Sequence, residues 1–405
     1  MACKLNIKAT CGRARSSELV LYHATVPTPV FMPVGTQGSV KAMAISQLES
    51  LNCKIILGNT YHLGERPGPE QLKRLGGLHQ FMRWPNAILT DSGGFQMVSL
   101  SKLSVVTEEG VTFQSPRDGT MSLLTPERSM EIQMAIGSDI IMALDDVVRP
   151  TDDSKRIAEA SLRTVRWLDR CAAALPNNGR GPKQNLFAIV QGGLDDTLRD
   201  KCLEELIKRD TPGYAIGGLA GGESKDSFWR VIAFCCEKLP QHKPRYAMGI
   251  GYAEDMLVCV ALGVDMFDCV YPTRTGRFGV ALTDDGPMNL NHSSNRCMAD
   301  TVITPGCPCT ACMNGYSRAL LNGMFAGPRG TEVAAQMVTH HNIAFQLGLM
   351  RRAKEAIENN SFAEFVSKWM IRRYGGKVSD VPQWIHDALT HSGISMAQFA
   401  PAPAL

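Results

Sequence analysis

Three thiols crowd into six residues at Cys307-Pro-Cys309-Thr-Ala-Cys312. Thiolates at C-x-C-x2-C spacing can face one tetrahedral centre, and a fourth ligand must then come from elsewhere. His340 and His341 offer it from a stretch with helical spacing, and Cys297 is a weaker rival. Zinc is the expected ion, because a closed Cys3His site has no position for water and is structural and redox-silent. Two carboxylates suit covalent chemistry: Asp91 in TDSGGFQ and Asp268 in MFDCVYPTRTGRFG. Carboxylates on two strands of one cavity can divide the work of nucleophile and general base, as in a retaining glycosidase. Spacing alone does not assign the roles, and no HExxH or His-x-His pattern favours a metal-dependent hydrolase. Asp145, Gln191 and the backbone of Gly217 and Gly218 suggest a binding wall. An ionised Asp only accepts hydrogen bonds, whereas a glycine N–H or a Gln amide can donate to a carbonyl oxygen. Guanine presents the complementary edge, and so do other heterocycles.

The elements that position these residues repeat. Between Thr28 and Arg274, eight short apolar runs each climb into Gly, Asp, Asn, Gln or Thr: TPVFMPVGTQ, KIILGNTY, AILTDSGGFQ, DIIMALDD, LFAIVQGG, GYAIGGLAGG, YAMGIGY and DMFDCVYPTRT. Most are followed by helical spacing, as in Leu198 to Lys208 and Phe228 to Leu239. Strand, polar tip, helix, repeated eight times, predicts an α/β fold of the (β/α)8 TIM-barrel kind, whose strand tips share one mouth. Asp91, Asp145, Asp146, Gln191, Gly217, Gly218 and Asp268 are the tip residues, although Gly and Asp also make ordinary turns. A doubly wound sheet alternates strand and helix too, but usually has five or six strands, and no glycine-rich dinucleotide fingerprint opens the first unit here.

KLNIKAT and ELVLYHAT alternate around a Gly/Arg/Ser turn, predicting an N-terminal β-hairpin that plugs the closed end of the barrel. A second hairpin is expected in EEGVTFQSPRDGTMSLL, with Asp118-Gly119 at its turn. The expected divisions are a cap over residues 1–27, the barrel over 28–290, a zinc-binding helical subdomain over 291–375, and a C-terminal helix and tail over 376–405. A net charge of +3 over 405 residues argues against a general polyanion binder, so any nucleic-acid contact must rest on local basic patches. Thirteen cysteines, mostly in apolar runs, suggest reduced thiols and a reducing compartment, by default the cytosol. The first residues lack the continuous apolar core of a secretory signal, and no apolar run reaches the roughly 18 residues of a membrane span.

In this order, TDSGGFQ, LDD, IVQGG, IGGLAGGES, FDCVYPTRTGR and CxCxxC with its downstream His-Asn pair closely resemble the tRNA-guanine transglycosylase family over about residues 28–375. The resemblance implies that Asp268 attacks C1′ of the guanosine at the anticodon wobble position, that guanine leaves a covalent RNA ester, and that a 7-deazaguanine base then enters. It implies Asp91 as general acid/base, Phe95 and Met248 as a sandwich around the base, and Asp145, Gln191 and Gly218 as readers of its edges. Arg274 and Arg277, within Arg274-Thr275-Gly276-Arg277, fall where the family contacts the flanking uridines. Cys307, Cys309, Cys312 and His341 match its zinc ligands. Arg351 to Lys354 and Lys368 to Arg373 are candidate phosphate contacts, although such runs are more often a solvated face.

Val147 and Gly221 stand where bacterial members that take the aminomethyl precursor carry Cys and Val. Gly221 would therefore leave room for the cyclopentenediol of queuine, implying the eukaryotic type. The expected partners are tRNA with a G-U-N anticodon and a homologous accessory subunit in a heterodimer, with a homodimer as the alternative. The leading non-enzyme reading is that accessory subunit itself, against which both carboxylates stand in intact motifs.

Overall fold

The computed structural model describes residues 3–95, 104–115, 119–150, 152–327 and 330–399. The alternating N-terminal segments form antiparallel strands β1 (Lys4–Cys11) and β2 (Ala14–Val20). A third strand, β3 (Thr25–Thr28), extends the expected hairpin to three strands by pairing antiparallel with β2 just before the chain enters the barrel. Then follow β4 (Val30–Gly35), β5 (Ile55–Gly58) and β6 (Ala87–Thr90). The insertion is likewise a three-stranded antiparallel sheet, β7 (Ser104–Val106), β8 (Val111–Gln114) and β9 (Met121–Leu124). Asp118 of its expected turn lies outside the described residues, as does the tail 400–405. The chain re-enters the barrel at β10 (Ile140–Met142) and continues through β11 (Asn185–Val190), β12 (Gly213–Ile216), β13 (Arg245–Ala247) and β14 (Met266–Cys269).

All eight expected runs are barrel strands. They pair in parallel, and β14 closes on β4. Successive side chains alternate inward and outward, which explains why the runs are apolar throughout: both faces are covered. Val30, Met32, Val34, Ile55, Leu57, Leu89, Ile140, Phe187, Ile189, Ala215, Tyr246 and Met266 form the interior cluster. Phe31, Ile56, Ile88, Ile141, Ala188, Ile216 and Phe267 pack outward with the helices. Extending the same alternation past the strand ends turns Asp91, Gln191, Gly217, Met248 and Asp268 inward.

The N-terminal sheet closes the opposite end. Its Leu5, Leu19, Leu21 and Val26 belong to the interior cluster. Its polar groups bind carboxylates at the starts of strands: buried Arg15 pairs with buried Asp265 at 2.5 Å, and His23 lies 3.0 Å from Asp139. Asp139 also lies near His79, but the two imidazoles stack at 3.6 Å between centroids and 24° between planes rather than converging on one point. Both Asp139 oxygens already accept backbone N–H groups, from His23 and Ile88. That cluster therefore fastens the cap to the barrel floor.

Beyond the barrel come the hairpin β15 (Val280–Thr283) and β16 (Gly286–Asn289), then the long helix Thr331–Glu358 and the helices Phe362–Arg373 and Gln383–His391. All thirteen cysteines are free thiols. Among the described residues no helix is long and apolar enough to cross a membrane.

Candidate active site and metal centre

Asp91 and Asp268 share the C-terminal mouth of the barrel but are held differently. Both Asp91 oxygens are engaged: the Thr60 N–H donates to Oδ1 at 2.8 Å and the Asn59 amide to Oδ2 at 2.5 Å. The Asn59 side-chain oxygen also caps helix Thr60–Glu65 by accepting from His62. Burial pushes the Asp91 carboxyl up from 3.8 to about 7, against the pull of its donors, and the charge of Asp268 adds to the rise. At Asp268 two donors converge on one oxygen. The hydroxyl of buried Tyr246 reaches Oδ1 at 2.5 Å and the Gly249 N–H at 2.8 Å. Burial raises this carboxyl as well, and these two bonds oppose the rise by favouring the anion. Gly249 has φ +74°, a left-handed conformation that glycine adopts at little cost.

The binding wall lies across β10, β11 and β12. Asp145 accepts from Ser92 Oγ at 3.0 Å and from the Gln191 amide at 2.8 Å. Burial pushes it up to about 6 despite those bonds. Gln191 is wholly buried, and its Oε1 has no hydrogen-bond partner among the described residues. Gly218, whose φ is +69°, is small for its sake, since a Cβ there would overlap Oε1; at Gly217 a Cβ would stand 2.7 Å from Ile189 Cγ2 and 3.1 Å from Gln191 Nε2. Fully buried Arg199 fixes the two tips together by donating to the carbonyls of Val190, Gly193 and Gly217. Met248 is half-buried against the barrel interior, while Phe95 is 60% exposed.

Asp146 corrects the tip reading. It is buried against Arg156 and Arg163, turned away from the mouth that Asp145 faces, because successive residues of an extended tip point to opposite sides. Thr275 and Gly276, expected at the RNA, also turn toward the protein. Thr275 Oγ1 donates to the Tyr271 carbonyl, and Gly276 is buried where a Cβ would stand 2.8 Å from Thr339. Arg274 is exposed and Arg277 half-buried, and neither has a carboxylate partner among the described residues. The cations of the later basic runs are paired instead: Arg352 with Asp284, Lys354 with Glu358, Lys368 with Glu364, Arg372 with Asp285 and Arg373 with Glu254. Gly221 is exposed, its N–H donates to Glu223, and a Cβ there would stand 2.7 Å from Pro150 Cδ, so its smallness has a backbone-packing reason too.

Cys307, Cys309, Cys312 and His341 bring their ligand atoms within 4.8 Å of one another. The three Sγ atoms lie 3.5, 3.5 and 3.6 Å from His341 Nδ1. The Leu282 carbonyl, 2.9 Å from Nε2, accepts a hydrogen bond from Nε2–H, so the neutral ring presents an Nδ1 lone pair to the thiols. His340 points elsewhere, its Nδ1 accepting from Thr310. This group can hold a metal ion; exposed Cys297 is not part of it.

Tip logic alone would have found Asn59, Ser92 and Gly249, which stand in the same strand-end runs. Arg199 carries no such signal, because its partners come from two other elements.

Residues 10–375 match the family model described as queuine tRNA-ribosyltransferase. The chain is 50% identical to the queuine tRNA-ribosyltransferase catalytic subunit of Schizosaccharomyces pombe over 98% of each chain. It is 48% identical to that of Caenorhabditis elegans, over 97% of this chain and 99% of the relative. It is 46% identical to the queuine tRNA-ribosyltransferase of Deinococcus radiodurans over 96% of each.

Two outcomes follow from this geometry. Asp91 binds its proton more tightly folded than unfolded, so between about pH 4 and about pH 7 the native state holds more protons and stability falls as pH rises. Urea midpoints across that window should show the decline, and Asp91→Asn should flatten it; equal slopes in both proteins would refute the assignment. Purified chain should carry bound metal that His341→Ala loses and His340→Ala keeps, with the first variant also less stable, since such a site contributes folding free energy. Elemental analysis finding the reverse would exchange the two histidines.

Proposed function

The chain belongs to the queuine tRNA-ribosyltransferase family, and we propose that it replaces guanine at the wobble position of G-U-N anticodons with queuine, by double displacement through a covalent tRNA intermediate. The observation that carries the mechanism is the unequal treatment of the two carboxylates. Asp268 has Oδ1 held by two donors and Oδ2 without a partner among the described residues, as an oriented nucleophile requires. Asp91 has both oxygens engaged and a pKa of about 7, suited to giving and taking a proton at neutral pH.

A wobble base is already unpaired, so drawing it into the mouth costs less than extrusion from a duplex. Phe95 and Met248 stack its faces, and Asp145, Gln191, Gly217 and Gly218 read its edges. Asp268 Oδ2 bonds to C1′ as the bond from C1′ to the guanine nitrogen breaks, and Asp91 protonates the departing base. The entering base then gives its ring N–H proton to Asp91, bonds to C1′ and returns Asp268 to a carboxylate. Arg274 and Arg277, without an ion pair among the described residues, contact the RNA beside the target. The accessory-subunit reading is not favoured, because the catalytic pair is present with its donors.

Zinc is the ion proposed for the cysteine cluster. Bonds of about 2.3 Å to sulfur and 2.0 Å to nitrogen in a tetrahedron give S···N edges of about 3.5 Å, close to those between His341 and the three thiols. Cys307, Cys309, Cys312 and His341 would fill all four positions of such an ion, which would then supply rigidity to this region. We place the enzyme in the reducing cytosol, as a heterodimer with a homologous accessory subunit.

Asp268→Ala and Asp268→Asn should both abolish labelled-guanine exchange and the denaturation-resistant RNA adduct; an adduct with either variant would move the nucleophile to another group, Asp91 first. Gly221→Val should cost roughly fivefold to hundredfold in kcat/KM for queuine through overpacking, with guanine little changed. An equal loss for both bases would mean that the added side chain acts by displacing Pro150 and that Gly221 serves backbone geometry.

A further inference from the structure

Gln346 lies on the long helix, outside the barrel strands, yet it is 0% exposed. Its Nε2 donates to the Gly251 carbonyl at 2.6 Å, while its Oε1 has no partner among the described residues. A buried amide satisfied on one side only is costly, and an apolar residue of the same size would avoid that cost. What the amide supplies in return is the position of Gly251.

Gly251 ends a short bracket around the nucleophile. Two residues earlier, the Gly249 N–H donates to Asp268 Oδ1. Gly251 itself lies so close to the next residue of β14 that an added Cβ would overlap the Cys269 side chain. The segment Gly249–Gly251 is therefore pressed against the strand end that carries Asp268, and Gln346 pins its far end. The same helix grips the chain beyond the nucleophile: Asn342 donates to the carbonyls of Pro272 and Val280 and accepts from the Leu282 N–H.

The geometry points to Gln346 as a positioning residue for the Asp268 nucleophile, acting through the Gly251 carbonyl to hold the Gly249 N–H against Oδ1 and so keep Oδ2 aimed at C1′. This rests on the reading of Asp268 given above. Reacting groups tolerate little misplacement. A lost donor to a charged oxygen also disfavours the anion, so the nucleophile should titrate higher when the bracket is released.

The test uses the full chain with its metal, and with the accessory subunit if exchange needs it. Gln346→Leu removes the donor and the orphaned oxygen together, and Gln346→Met is a second apolar replacement should Leu pack poorly. Single-turnover adduct formation should slow about tenfold, the order expected for one hydrogen bond to a charged group. The KM for tRNA should stay within about twofold, since no tRNA contact is removed. The acid limb of the rate–pH profile should move to higher pH, while metal content and melting temperature stay at wild-type values. A merely structural role would lower the melting temperature without moving the acid limb, and that result, or a wild-type adduct rate, overturns the proposal. Asp268→Ala assayed alongside separates the two readings. An adduct persisting there removes the nucleophile itself, whereas its absence together with wild-type kinetics in Gln346→Leu removes only the role of Gln346.

Discussion

Two half-buried carboxylates in one barrel mouth repel each other and resist ionisation, and much of the site is arranged around that constraint. Burial raises Asp91, Asp145 and Asp268 alike, and each answers with donors from a neighbouring tip: Asn59 and Thr60 after β5, Ser92 after β6, Gln191 after β11, Tyr246 and Gly249 on and after β13. A donor placed by an adjacent parallel strand costs little reorganisation, because the ladder fixes both backbones. The donors differ in direction, so identical side chains meet different surroundings: both oxygens are engaged at Asp91, one at Asp268.

A second layer holds those donors. Arg199 would be an expensive buried cation but for three carbonyls that accept hydrogen bonds from its N–H groups and are thereby tied into one rigid edge of the mouth. The long helix does the same on the other side. His341 reaches the cysteine cluster and the Leu282 carbonyl, Asn342 the segments following Asp268, and Gln346 the loop preceding it. The cysteine–histidine cluster and the mouth are thus joined through one helix.

The closed end follows the same rule with opposite purpose. Arg15 and His23 neutralise Asp265 and Asp139 at the starts of strands, and the apolar side chains of the cap complete the barrel interior. Function is left to the open end, where strand tips are exposed to ligand.

The sequence by itself determined the eight-stranded barrel, because strand, tip and helix repeat with a periodicity that only covered parallel strands explain. It also determined the cysteine cluster and the candidate carboxylates, since thiol spacing and tip position are local properties. What it left open was direction. His340 and His341 are adjacent in sequence but about a hundred degrees apart around a helix, and only the packing of that helix against β15 selects His341. Asp145 and Asp146 divide likewise between mouth and Arg163, and Gly276 turns inward because Thr339 lies against it. The third strand of each small sheet escaped notice, because a strand of three or four residues is too short for its alternation to register. Tyr246, Arg199 and Gln346 act on partners supplied by other elements, in the last case 95 residues away. No local pattern encodes such contacts. They exist only once the barrel has closed and the long helix has docked, so tertiary structure alone decided which polar groups would hold Asp268.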